Sequence, residues 1–405
     1  MAMADQPAGK SFRLSMLIYD TRYRSITIQV VMLALFALGV WWLLDNMYSN
    51  LAKIDKDPDF SFLSSPAGYD ISQRLIEYTS QSSNYRAWLV GLLNTLLVAF
   101  LGCILATILG VLIGVLRLSK NWVVSRLMTV YIETFRNVPV LLWIIFAMTI
   151  FIETLPQPRE FRGADAAASM KLWDTVALTN RGFYIPRPEW GAGSMVVVTV
   201  FLLSVVGIFV FGKWARKRQD ATGVILPTFW IKLGILILPA VLAFFAMGQP
   251  ITLNYPALKG FNFAGGWYMR NSLIALWLAL SLYTAAFIAE AVRAGIMAID
   301  KGQSEAAGAL GLRPNRIMSL VVLPQALRVI IPPLISQYLN LTKNSSLAIA
   351  VGYMDVTGTL GGITLNQTGR ALESILLLMI TYLLISLSIS LVMNIYNNSV
   401  KLQER

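Results

Sequence analysis

The stretch that decides the fold of this chain is Glu305-Ala306-Ala307-Gly308-Ala309-Leu310-Gly311, which is followed ten residues later by Val321-Val322-Leu323-Pro324. It is punctuated by glycine, yet it lies between two long apolar segments. Bilayer hydrocarbon offers no hydrogen-bond partners to a loose backbone, so such a loop must face water. The lysines and arginines around it predict the cytoplasmic side. A structured loop in that place is a natural docking point for a soluble protein.

The composition is that of a helical membrane protein. Of 405 residues, 56% are hydrophobic and only 13% are charged, whereas a soluble domain would carry about a quarter. The net charge of +12 does not indicate nucleic-acid binding, because the basic residues cluster in short loops beside apolar segments. With no histidine and a single cysteine, Cys103, the chain has no disulfide framework, and we expect no metal site.

Eight apolar segments are long enough to cross a bilayer, and they lie at about 26–44, 88–116, 138–155, 195–211, 231–247, 272–291, 321–340 and 374–395. We therefore predict an all-α polytopic membrane protein with eight transmembrane helices. The first segment runs into Trp41-Trp42 without a cleavage site, so we interpret it as an anchor and not as a signal peptide. The long loops at 45–87 and 156–193 are predicted to form small packed caps with short helices.

The distribution of positive charge predicts that both termini are cytoplasmic. Segments 1–25, 117–137, 213–230, 293–320 and 396–405 hold 18 lysines and arginines in 102 residues, whereas the segments on the other side hold 13 in 137. Positive charge collects on the cytoplasmic side of membrane proteins, which places the Glu305 loop inside.

Residues 207–214 imitate a phosphate-binding loop, but they lack its Ser or Thr and they end a membrane segment. The chain therefore shows no nucleotide site, and we expect it to bind no cofactor. If transport is driven by ATP, the ATPase is another chain.

The glycine-punctuated loop and its flanks resemble ABC-transporter permeases of the polar amino-acid (histidine-permease-like) family. Residues 305–311 resemble the EAA loop, the segment that docks on the ATPase subunit. Tyr131–Pro139 and Tyr283–Ile296 resemble other segments of that family, and Lys343–Leu347 resembles its Lys-Asp-Thr-Ser-Leu segment, with departures at Asn344 and Ser345. The resemblance covers about 88–155 and 270–398.

The resemblance implies a type I ABC importer core of five helices, formed by segments two, three, six, seven and eight. An N-terminal anchor helix and an inserted helix pair are additions, as in the larger permease subunit of general L-amino-acid importers. The implied organisation is an anchor and periplasmic loop at 1–87, core at 88–155, an insertion at 156–270, core at 271–398 with the EAA loop at 301–324, and a cytoplasmic tail at 399–405.

The resemblance also implies a function. The chain would be a permease subunit, not an enzyme, in the bacterial inner membrane, taking up polar or general L-amino acids by alternating access. Its partners would be a second homologous permease, an ABC ATPase dimer that holds ATP and Mg, and a periplasmic amino-acid-binding protein. The residues implied in coupling are Glu305, Ala306, Ala307, Gly311, Leu312, Arg313 and Arg316.

Other residues are candidates for the translocation pathway. Glu290 lies inside the sixth segment, where a bare carboxylate is costly, and three residues from Arg293. It either lines the cavity, as Tyr283 would, or forms a structural salt bridge. The polar run Lys343, Asn344, Ser345 and Ser346 is either a re-entrant segment that contacts a substrate carboxylate or a short interfacial loop.

Four residues are predicted to be structural. Gly110 and Gly114 continue a stripe of small residues that begins at Gly102, and such a stripe lets helices approach closely. The helix it meets can belong to this chain or to a partner permease. Pro139 and Pro324 each lie where a predicted membrane segment begins.

Two other classes of function remain as alternatives. An ion-coupled secondary amino-acid transporter would show paired broken helices and an inverted repeat, and no such symmetry is visible. An intramembrane enzyme would need a constellation of catalytic side chains at membrane depth. Only Glu153 and Glu290 are acids within the eight segments.

Overall fold

The computed structural model describes residues 16–53, 58–163 and 166–400. The helices are α1 Met16–Tyr19, α2 Thr21–Ala52, α3 Asn84–Arg117, α4 Trp122–Asn137, α5 Val140–Thr154, α6 Ser194–Thr222, α7 Thr228–Ala246, α8 Asn271–Met297, α9 Lys301–Ala309, α10 Pro314–Ile317, α11 Leu323–Asn344, α12 Leu365–Thr368 and α13 Ala371–Val400. The strands are β1 Ala177–Thr179, β2 Gly182–Ile185, β3 Arg187–Trp190, β4 Ile251–Asn254, β5 Ala257–Lys259, β6 Asn262–Ala264 and β7 Trp267–Arg270. Short 3-10 helices cover Ser61–Ser64, Pro158–Phe161 and Ser345–Val351, and π-helical turns cover Met318–Val322 and Thr357–Thr364.

The predicted helical membrane fold is confirmed. Within the described residues, seven helices are long and apolar enough to cross a membrane. The count reaches the predicted eight when α4 and α5, which meet at a bend of 105°, are taken as one span. Pro139 stands at this bend as the N-cap residue of α5. Segment 117–137, predicted to be an inner connection, is therefore mostly the helix α4.

The chain divides into two compact units, residues 1–63 and residues 64–405. The first contains α2, whose side chains are almost all exposed, as suits a helix surrounded by lipid. Residues 64–83, which the predicted organisation groups with the anchor helix, belong to the second unit. There Tyr69 and Tyr78 form a buried cluster with Val90 of α3, and the Tyr69 hydroxyl lies 3.1 Å from Thr364 Oγ1.

Helix α8 is the centre of the second unit. Its most apolar window is 72% buried, far more than in any other membrane-length helix described. Small side chains at Ala275, Ala285, Ala286 and Ala289 are fully buried there. Lipid gives apolar helices little reason to associate, so close approach of small residues supplies the packing. Helices α3, α4, α5 and α11 all pack on α8.

The insertion forms a β-cap and a helix hairpin. The cap has a three-stranded antiparallel sheet in the order β1-β2-β7 and two antiparallel pairs, β3–β4 and β5–β6. Packed caps are present as predicted, and the 156–193 loop contains an expected short helix at Pro158–Phe161 together with three strands that were not predicted from the sequence. Asn271 at the start of α8 donates to the Thr179 carbonyl at 3.2 Å, which ties the cap to the core.

The inserted helices α6 and α7 pack mainly on each other. No described residue of α7 is buried, and its most apolar window has no buried position. The cytoplasmic tail predicted at 399–405 lies almost entirely outside the described residues.

Candidate functional site

The EAA loop (residues 301–324) is an ordered hairpin of short helices. Asp300 caps α9 by accepting a hydrogen bond from the Gly302 N–H at 2.7 Å. After α9 the backbone turns sharply at Gly311, whose φ is +80°. Pro314 then begins α10, as its fixed φ favours. The chain continues through the π-helical turn into α11, with Pro324 in its first turn.

Gly311 is required by backbone conformation and not by crowding. A Cβ added to it would meet nothing within 4 Å. The turn is closed by the Gly311 N–H donating to the Gly308 carbonyl at 2.9 Å and the Leu312 N–H donating to the Ala307 carbonyl at 3.3 Å. Because L-residues pay a steric cost at positive φ, glycine suits this position.

Most of the predicted coupling residues project into solvent. Ala307 is the one buried residue of α9, and α9 packs against the π-helical turn Met318–Val322 and against α10. Glu305 is exposed, and within the described chain no lysine or arginine lies at ion-pair distance from it. Leu310 is 83% exposed. Besides Glu305, the predicted coupling residues that are exposed are Ala306, Gly311, Leu312, Arg313 and Arg316. An ordered surface with an outward leucine and an unpaired acid is suited to contact another protein.

Glu290 lies between two arginines. Its carboxylate accepts hydrogen bonds from Arg293, at 2.6 Å, and from Arg117 at the end of α3. The side chains of Arg117, Glu290 and Arg293 are 17%, 26% and 29% exposed. Arg293 is the partner expected if Glu290 forms a structural salt bridge and does not line the cavity. Sequence reasoning missed Arg117, because it is 173 positions from Glu290 and its only visible signal was its place at the end of a membrane segment.

The remaining pathway candidates lie on separate elements of the second unit. The ring of Tyr283 contacts that of Phe287 within α8 in a tilted arrangement, with ring centres 5.0 Å apart. The run 343–346 spans the end of α11 and the start of a 3-10 helix, which packs against α5, α8 and α11. Lys343 is exposed, Asn344 is half-buried, and Ser345 and Ser346 each donate to a backbone carbonyl at 2.8 Å. The geometry is that of a broken helix packed on protein and not of a short loop.

A buried acid lies close to this run and was not predicted. Asp355 is fully buried, and its carboxylate accepts hydrogen bonds from the Gly358 N–H at 2.8 Å and from the Tyr382 hydroxyl at 3.1 Å. The Tyr382 hydroxyl also lies 3.5 Å from Ser345 Oγ. Burial raises the pKa of Asp355 to about 6. In the sequence, Asp355 is one polar residue in an outer loop, and nothing there indicates that α13 covers it.

The small-residue stripe of α3 meets α8 of the same chain. A Cβ on Gly110 would lie 2.6 Å from Ile288 Cβ, and one on Gly114 would lie 2.7 Å from the Ala289 carbonyl oxygen. Of the two partners left open above, the structure therefore selects a helix of this chain.

Comparison with known proteins agrees with this architecture. Residues 221–402 match the family described as binding-protein-dependent transport system inner membrane component. The glutamate/glutamine/aspartate/asparagine transport system permease protein BztB of Rhodobacter capsulatus is 56% identical, with 100% of both chains covered. The chain belongs to this permease family.

Two further relatives extend the match. The general L-amino acid transport system permease protein AapQ of Rhizobium johnstonii is 46% identical over 98% of this chain and 96% of that protein. The putative amino-acid ABC transporter permease protein YhdX of Escherichia coli is 46% identical over 90% and 91%. A crystal structure of an amino acid ABC transporter with histidines aligns at 19% identity and a TM-score of 0.44, covering 78% of this chain and 94% of that one.

The permease is thus a transport subunit of an ABC importer and a multi-pass membrane protein, and nothing in the comparisons favours the ion-coupled alternative. The full-length relatives include the anchor helix and the insertion within their aligned length. Both additions are therefore shared with these relatives.

Proposed function

We propose that this permease takes up polar L-amino acids by alternating access, driven by an ATPase that docks on the EAA loop. The observation that carries the proposal is the geometry of that loop: an ordered helix, a glycine turn and exposed Glu305 and Leu310. The substrate class is supported by two relatives aligned over nearly their full length, because their names describe them as permeases of amino-acid transport systems.

The proposed assembly contains a second related permease, two copies of an ABC ATPase and a periplasmic amino-acid-binding protein. ATP and Mg belong to the ATPase, and this chain binds no cofactor of its own. ATP closes the ATPase dimer and moves the grooves that hold the EAA loops, and the core helices rock between outward and inward openings. The loop transmits force because Asp300, Gly311 and Pro314 hold its helices in one geometry.

The proposed location is the inner membrane, with both termini and the EAA loop in the cytoplasm. The charge distribution supports this orientation. The β-cap and the segment 64–83 then face the periplasm, where the binding protein delivers substrate. Lys343, Asn344, Ser345 and Ser346 stay candidates for contact with the substrate carboxylate, and Tyr283 and Glu290 stay candidates for the pathway wall.

The test is uptake by the complex reconstituted in liposomes. ATP inside the vesicles and binding protein outside should drive accumulation of labelled glutamate or glutamine, and Glu305→Lys should abolish uptake while ATP hydrolysis continues. Gln303→Lys is the matched control, because it places the same lysine side chain at another exposed position of α9. Uptake that requires an ion gradient and no ATPase would overturn the proposal. Normal uptake by Glu305→Lys would overturn the coupling role alone.

A further inference from the structure

The end of α6 carries a dense group of cations that the transport function does not use. Lys213, Arg216, Lys217 and Arg218 fall within six residues, and Asp220 is the only acid nearby in the helix. All four cations are exposed, and within the described residues none of them forms an ion pair. Like charges three or four residues apart on a helix repel each other, so a bound anion would stabilise this arrangement.

The topology places this group on the same membrane face as the EAA loop. Helix α6 begins after β3 and α7 ends before β4, and β3 and β4 pair with each other in the cap. Helix α8 also begins at the cap, after β7, and runs away from it. The loop joining α6 to α7 and the EAA loop therefore both lie opposite the cap.

A fifth cation lies between the two helices. Lys232, in the second turn of α7, is half-buried, and its Nζ would be 3.2 Å from a Cβ placed on Gly212. No described carboxylate lies at ion-pair distance from this ammonium group. The glycine surface leaves room for the lysine head beside the basic end of α6. A lone charge at the edge of a membrane helix is costly unless it reaches water or an anion.

Aromatic side chains surround the same end of the hairpin. Trp214, Phe229 and Trp230 are 49%, 68% and 69% exposed. The Arg218 guanidinium lies 5.4 Å from the centre of the Trp214 ring. Tryptophan prefers the level of the lipid headgroups, so these rings place the cations at the depth where lipid phosphates lie.

We propose that the end of the α6–α7 hairpin binds the phosphate of an anionic phospholipid in the leaflet on the EAA-loop side. Lys213 and Lys232 hold the headgroup from the two helices, and Arg216, Lys217 and Arg218 add positive charge around it. The ligand is a lipid and not a soluble anion, because α6 and α7 pack mainly on each other and expose apolar faces and tryptophans beside the cations. The cations at the end of α6 could serve only to orient the hairpin in the membrane. That role would not require Lys232, which is half-buried between the two helices and has no ion-pair partner among the described residues.

The experiment measures lipid retained by the full-length permease purified with its partner subunits. Phosphatidylglycerol and phosphatidylcholine are supplied together in detergent, and bound lipid is counted by native mass spectrometry. We expect preferential retention of phosphatidylglycerol, and we expect Lys213→Gln with Lys232→Gln to weaken it roughly tenfold or more, since each basic residue near lipid contributes about 1 kcal/mol. Lys213→Arg with Lys232→Arg should retain the lipid and shows that the hairpin folds normally when the charge is kept.

The matched control is Lys120→Gln with Arg126→Gln, which removes two exposed cations from another element, in and before α4. Retention should be unchanged in this variant. Equal loss in both glutamine variants, equal retention of the two lipids, or displacement of the lipid by excess inorganic phosphate would overturn the proposal. None of these outcomes depends on transport, so the proposed uptake function is tested separately.

Discussion

Gly110 of α3 and Ile288 of α8 are in such close contact that a Cβ on the glycine would lie 2.6 Å from the Cβ of the isoleucine. The Ala285 carbonyl oxygen would lie 3.1 Å away. Gly110→Val should therefore push α3 from α8 and lower the free energy of unfolding by about 1–3 kcal/mol, the usual cost of overpacking. Thermal unfolding of the purified permease in detergent measures this.

Gly234→Val in α7 is the control for helix propensity, since a Cβ there would meet only Leu238 Cδ1 at 3.8 Å. It should leave the unfolding midpoint nearly unchanged. Ile288→Ala should restore part of the stability of the Gly110 variant by making room. Equal effects of the Gly110 and Gly234 substitutions would contradict the proposed close packing.

Glu290 forms salt bridges with Arg117 and Arg293, and a substitution can test whether it has a structural role or lines the translocation pathway. In Glu290→Gln the two arginines lose their shared carboxylate in a partly buried site. If the residue is structural, we expect a loss of about 1–3 kcal/mol in stability from the arginine donors left unsatisfied, with uptake falling in proportion to the folded protein. If it lines the pathway, stability is kept and the KM for substrate changes. Glu133→Gln, at an exposed position of α4, is the control.

The Gly311 turn predicts an effect that does not depend on side-chain size. Because an added Cβ meets nothing within 4 Å while φ is +80°, Gly311→Ala and Gly311→Leu should cost the same, about 1 kcal/mol, through the backbone alone. Gly311→Asn should cost less, because asparagine tolerates this conformation. The expected result is a reduced ratio of substrate transported to ATP hydrolysed in the first two variants. A defect that grows with side-chain volume would show that the loop is crowded and contradict the geometry.

Asp355 predicts that stability depends on pH. Its folded-state pKa is about 6 against an ordinary value of 3.8, so between about pH 4 and pH 6 the folded protein holds a proton that the unfolded chain has released. The stability that the folded protein gains from binding this proton is fully present below about pH 4, and it is lost as the pH rises through about 6. The unfolding midpoint should rise when the pH falls from 7 to 5, and Asp355→Asn should flatten that rise. Asp70→Asn, at an exposed site, is the control substitution.

Much of the candidate site could be predicted because its signals are local. The turn at Gly311 and the helix start at Pro314 follow from the backbone preferences of single residues, and both are present. The carboxylate of Glu290 was visible as a charge in an apolar segment. Its partner Arg117 was not, since the two are brought together only when α3 packs along α8.

The β-cap could not be predicted from the sequence either. Its strands are three or four residues long, too short for an alternating pattern to be distinctive. The pairing of Phe183 with Met269 joins positions on either side of the α6–α7 hairpin. Within the second unit, the contact of segment 64–83 through Tyr69 with Thr364 likewise joins residues 295 positions apart.

The sequence by itself determined the membrane-spanning segments and the shape of the EAA loop, because the cost of leaving water and the preferred backbone angles depend on the residues of each segment. Only the tertiary structure decided that Gly110 packs on Ile288, that Arg117 reaches Glu290, that Tyr382 covers Asp355 and that Lys232 lies against Gly212. These contacts join residues from separate helices or loops. Their energies depend on the mutual fit of whole elements, which no local pattern contains.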